Sequence, residues 1–201
     1  MSFAGKGLVL SLSIAAVLAA GKDTGRFAPG PASSYAAKQT NDKVTIGVEP
    51  YDTEAKARAA FDKVNPNAMG ILPILLVIEN GTGAALSLRD MKVEYIMPDR
   101  QRIETTPASE VRFTAGPKRP RMPNTGPASP LPLPRGSKKS KLEAWEIEGR
   151  AFAARMLPAG DSANGFFYFQ ARHRPGSSLY ITGIKEARTG QEIFYFEIPL
   201  Q

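Results

Sequence analysis

The run Ile74-Leu75-Leu76-Val77-Ile78 constrains the fold more than any other stretch, because it is apolar at every position. A β-strand sends successive side chains to opposite faces. An uninterrupted apolar strand therefore needs cover on both sides, as in the centre of a sandwich. Pro73 sits at the start of the run, where a strand tolerates proline. Asn80-Gly81 follows it, and both residues accept positive φ, which predicts a hairpin turn. Asn80-Gly81-Thr82 also spells a glycosylation sequon, but the turn is the preferred reading.

Alternation elsewhere is that of half-buried strands. Val44, Ile46 and Val48 alternate with Thr45 and Gly47. Leu86/Leu88, Val93/Tyr95, Ile103 and Val111/Phe113 continue the pattern, with turns at Pro98-Asp99 and Pro107-Ala108. Near the C-terminus, FFYFQAR, SLYITGI and EIFYFEIPL read as strands separated by the turn sequence ARTGQ and preceded by PAGDSANG. One segment is helical, over 53–64. Asp52 is its expected N-cap, Glu54 and Arg58 pair across one turn, and Ala57, Ala60, Phe61 and Val64 share a face. Asn65-Pro66-Asn67 ends it. The stretch LEAWEIEGRAFAARML fits both periods. Leu142, Trp145, Phe152 and Met156 have near-helical spacing, while Trp145/Ile147 and Phe152/Ala154/Met156 also alternate. The preferred reading is a strand from Arg150 to Leu157 with a short helix or strand before it. With 18 glycines and 17 prolines in 201 residues, turns are abundant. The expectation is a mainly β chain: an antiparallel β-sandwich with one short helix and a long proline-rich basic insertion.

The amino terminus has its own character. Lys6 precedes an apolar stretch from Leu8 to Ala20, too short as a helix for a roughly 30 Å hydrocarbon core. Residues 1–20 are expected to be a secretory signal peptide, and 21–42 a flexible tether. Residues 43–201 then form a single domain, interrupted at 117–141. Leu18-Ala19-Ala20-Gly21 resembles a bacterial lipobox in which glycine replaces the cysteine. That resemblance implies a cell-envelope setting, and it leaves no acceptor for the lipid.

The insertion PKRPRMPNTGPASPLPLPRGSKKSK holds Lys118, Arg119, Arg121, Arg135, Lys138, Lys139 and Lys141, and no acid. The net charge is +7, so these residues account for the whole surplus and the rest of the chain balances. If an electrostatic partner exists, it meets this segment. Seven prolines disfavour helix and central strand there, and an extended basic arm suits polyanions through counterion release. The competing reading is a solvated connecting loop.

Catalytic signatures are sparse. With no cysteine and one histidine, the ordinary zinc ligand sets cannot be assembled. His173 lies between Arg172 and Arg174 and before Pro175-Gly176, the setting of a surface loop. DSANGFFYFQAR fails as a calcium loop, with Gly165 fifth, Ala163 at a ligand position and Arg172 twelfth. Neither GxGxxG nor GxxxxGK[ST] occurs. The aromatic residues 166–169 and 194–196 could form a stacking platform, but alternate rings must point to opposite faces, so core packing is the favoured role. No cofactor, no metal and no enzymatic activity are expected.

ILPILLVIENGTGAALSL, followed much later by MLPAGDSANGFFYF, resembles the telokin-like, immunoglobulin-type domains of exported bacterial proteins. The resemblance implies an immunoglobulin-like sandwich and a non-catalytic binding or accessory module. It transfers no catalytic residue. The helix at 53–64 and the basic insertion depart from that family's pattern. Expected partners are an envelope protein of unknown identity or an anionic polymer such as lipopolysaccharide or a wall polymer, with peripheral contact to an anionic membrane surface. Export argues against nucleic acid.

Overall fold

A computed structural model describes residues 27–62, 64–114, 145–193 and 195–200. The expected signal peptide, 1–20, and the insertion, 117–141, lie outside them. In chain order the first half contains β1 (Ala37–Asn41), β2 (Val44–Pro50), α1 (Glu54–Phe61), β3 (Leu72–Asn80), β4 (Leu86–Ser87), β5 (Lys92–Ile96), β6 (Arg102–Glu104) and α2 (Ala108–Thr114). The second half contains α3 (Trp145–Gly149), β7 (Met156–Leu157), β8 (Ser162–Phe169), β9 (Ser178–Thr182), β10 (Lys185–Glu186) and β11 (Phe196–Pro199). Short 3₁₀ turns occupy Ala32–Ser34 and Pro66–Met69. All strand pairings between these elements are antiparallel, in sheets ordered β1-β2-β3-β8, β11-β9-β5-β6 and β10-β4-β7. The chain is mainly β, as the alternation predicts.

The apolar run lies inside β3, between β2 and β8, and both its faces are buried. Leu72, Ile74, Leu76 and Ile78 point forward. They meet Val44, Ile46 and Val48 of β2, together with Tyr95, Leu179, Ile181, Phe196 and Ile198 of the facing sheet. Leu75 and Val77 point backward against Phe61 of α1, Val111 of α2, Ile147 of α3, and Phe166 and Tyr168 of β8. The molecule therefore has a third layer: helices covering the rear of the central sheet. Each such side chain taken from water contributes about 1.5–3 kcal/mol, so β3 anchors two cores at once.

Several expectations are corrected. The helix cap is Thr53, whose Oγ1 accepts from the Lys56 N–H at 3.3 Å, rather than Asp52. The helix ends at Phe61, because Asp62 adopts φ 51°. The expected tether is folded from residue 27 onward, since Ala37–Asn41 pairs with β2 and Ala32 is fully buried. Its small polar composition conceals an edge strand whose alternate side chains face solvent. Asn80-Gly81 makes no hairpin, because β3 pairs with β2 and β8 and not with the next strand. Instead the buried Asn80 amide donates to the carbonyls of Ala84, Leu157 and Pro158, while its Oδ1 accepts from Thr82. Val111 and Phe113 lie in a helix begun at Pro107, whose carbonyl accepts from Glu110 and Val111. Two apolar residues at i and i+2 carry too little pattern to separate the alternatives. The strand expected at 150–157 shrinks to Met156–Leu157. Among the described residues there are three short α-helices, where the sequence reading placed one over 53–64 and left a helix or strand before Arg150 open.

Candidate binding cleft on the rear layer

Helix α3 is five residues long, and Ile147 alone is buried. A helix this short has little stability of its own and is held by that one anchor and by the Tyr168 hydroxyl, which donates to the Ile147 carbonyl at 2.7 Å. The rest of α3 is left outward, and Trp145 is 76% exposed. Past Gly149 the chain runs beside β8. The Phe166 N–H donates to Arg150 O at 2.8 Å, and the Phe152 N–H donates to Phe166 O at 3.0 Å. Glycine at 165 permits this approach, since a Cβ there would lie 2.4 Å from Phe152 Cα.

A cleft of about 310 Å³ opens between α3 and β8, lined by Phe27, Trp145, Gly149, Arg150, Asn164 and Phe166 among others. Its floor is aromatic. Phe27 packs on Phe166 at 5.4 Å and edge-on to Tyr51 at 5.8 Å, and Phe61 closes on Phe166 from α1 at 4.8 Å. The Arg150 guanidinium lies over the Phe27 ring, 5.1 Å from its centre, in cation–π geometry. Its Nε is buried without a hydrogen-bond partner, and among the described residues Arg150 forms no ion pair. Burial pushes the Tyr168 and Tyr51 hydroxyls well above the ordinary phenol range. Glu49 adds to the shift at Tyr51, while the nearby Arg150 charge opposes both. Both phenols are neutral at physiological pH, and Arg150 is the charged side chain among the residues that line the cleft.

The residues singled out from the sequence fall elsewhere. Lys118, Arg119, Arg121, Arg135, Lys138, Lys139 and Lys141 all lie outside the described residues. The described chain flanking them ends at α2 and resumes at α3, two helices that contact each other on the rear layer. His173 lies in a loop, as expected, with its ring half-buried and Nδ1 3.2 Å from the Tyr95 hydroxyl. That hydroxyl donates to Ser177 Oγ and accepts from the Arg174 N–H, so the group pins a loop to the front core. Among the described residues no three histidines or acids are placed to hold a metal. Phe166 and Tyr168 face the rear core, and Phe167 and Phe169 face the front core, so the β8 rings pack the interior. Tyr195 is the exposed ring of the described pair in 194–196, packed at a tilt of 36° against Tyr180 with centroids 5.5 Å apart.

Sequence reasoning missed Phe27, which sat in the supposed tether, and it left Trp145 between two periodicities. The usable signal was the chain's single tryptophan in WEIEG, flanked by acids and so a poor candidate for burial. No family model matches the chain, and no curated protein matches its sequence.

Proposed function

We propose that this protein is an exported, non-catalytic accessory module of the cell envelope, immunoglobulin-like in its sandwich, that acts by binding another envelope protein. The supporting observation is Trp145, a large aromatic 76% exposed at the lip of a preformed cleft. Exposed aromatic residues beside pockets are the residue type that dominates binding energy at interfaces. A photo-crosslinking residue at position 145, in cells making the full chain, should give one discrete adduct in the envelope fraction. A control at Lys92, on the outer face of the opposite sheet, should not. Full-length protein in the cytoplasm, or the same adducts at both positions, would overturn the proposal.

A second reading is favoured by charge. Because the whole surplus lies in Lys118, Arg119, Arg121, Arg135, Lys138, Lys139 and Lys141, this segment would grip an anionic lipid surface or polymer. Deleting 117–141 should then abolish salt-sensitive binding to anionic vesicles. Binding unchanged by the deletion or by salt would refute it.

A further inference from the structure

We infer that the cleft between α3 and β8 is a binding site for an acidic sugar residue, with the ring face on the Trp145 indole and the carboxylate at the Arg150 guanidinium. The inference rests on the second reading above in taking the partner to be an anionic envelope polymer. It places the specific contact in the folded layer instead of the basic segment. Three observations carry it.

The first is shape. At about 310 Å³ the cleft is at the small end for ligand sites and suits a ring-sized group better than a length of peptide. The second is surface chemistry. A pyranose ring has one apolar face of C–H groups, and an exposed indole offers the flat, electron-rich surface on which such a face packs. Phe27 and Phe166 supply an apolar wall beneath it, and Asn164, exposed at the rim, offers an amide to ring hydroxyls.

The third is charge. Arg150 is held over Phe27 with no acidic partner among the described residues and with Nε lacking an acceptor. With Nε enclosed, it is the terminal Nη groups of this arginine that would meet a carboxylate, in a charge-assisted pair. The acids of α3, Glu146 and Glu148, are not among the lining residues. Neutral sugars would leave the cation unmatched, so the cleft should discriminate for acidic ones.

The chain contains one tryptophan, which makes indole fluorescence a direct reporter of the cleft. Titrating the full chain with short oligogalacturonates should give a saturable change in emission, and maltooligosaccharides of equal length should give none. Arg150→Met should weaken binding at least about tenfold, the loss expected for a charge-assisted pair. Asn164→Ala, at an exposed position, should weaken it less. Deleting 117–141 should leave the fluorescence titration intact, even if vesicle binding is lost. If Arg150→Met proves unfolded by circular dichroism, Arg150→Lys takes its place: it keeps the charge, loses the fork and should still bind several-fold more weakly. No emission change with the acidic sugar would overturn the inference. So would equal response to neutral sugar, or binding that disappears with 117–141 and not with Arg150.

Discussion

The front and rear cores share β3 but are built differently. The front core lies between two sheets and is largely aliphatic, with Ile74, Leu76, Ile78, Ile181 and Ile198 meeting across the sandwich. The rear core lies under three helices of five to eight residues and is aromatic, centred on Phe61, Phe166, Tyr51 and Tyr168. The Tyr51 and Tyr168 hydroxyls and the Arg150 guanidinium lie within or beside the rear rings. Ladder hydrogen bonds and matched strands define the front core. In the rear core, helices too short to persist alone are held by single anchors such as Val111 and Ile147. The rear is thus the layer that can present a cleft, because its elements leave most of their surface uncommitted.

The sharpest way to break this comparison is to remove one side chain from each core. Leu76→Ala in front and Phe166→Ala behind should each cost about 3–5 kcal/mol, as deletions of fully buried large side chains do. Urea denaturation measures both, and a rear value under about 1 kcal/mol would make the helical layer an appendage rather than a core. Next in size is Asn80→Ala, which unties three carbonyls and two groups of Thr82 at the end of β3. Leaving buried acceptors unmet should cost about 2–3 kcal/mol, with a lowered midpoint and an unchanged denaturant slope.

A smaller effect tests whether the segment before β1 belongs to the fold. A Cβ on Gly47 would lie 2.5 Å from the Ala32 carbonyl oxygen. Gly47→Ala should therefore cost about 1–3 kcal/mol by overpacking and expose the chain near residue 32 to protease. No change in either readout would return that segment to the status of a tether. The smallest effect sharpens the rear layer's polar character. Tyr168→Phe removes the bond to Ile147 O and should cost about 1 kcal/mol at neutral pH. Because burial raises the folded pKa of Tyr168 above its ordinary 10.0, its contribution is complete below 10.0 and is lost as pH rises from there through the raised folded pKa. Stability in the variant should accordingly fall less steeply above pH 10 than in the parent chain.

What could be read from the chain follows the same division. The front core was legible because strand alternation and the unbroken run at Ile74–Ile78 are long-range regularities, and the turn at Pro98-Asp99, which joins β5 to β6, declared itself by its residues. The unbroken run also required a cover behind β3, but its composition did not say whether that cover was sheet or helix. Val111 and Ile147 are isolated apolar residues in short polar segments, so their role emerges only when β8 lies beneath them. Asn80-Gly81 looked like a hairpin because local turn preference was read without the long-range pairing of β3 with β8, which overrides it. The cleft was least visible. It joins Phe27, Trp145 and Asn164, which are remote in sequence and meet only through β8 and the strand-like passage of 150–152.

That one strand binds two unlike cores into a single cooperative unit can be tested by methyl NMR through a denaturant titration. Val111 and Ile147 report the rear layer, and Val93 and Ile181 report the front. Coincident midpoints for all four are predicted, because Leu75 and Val77 cannot lose their cover without disturbing the strand that carries Ile74 and Leu76. Rear signals that vanish at lower denaturant while the front signals keep their native positions would contradict it.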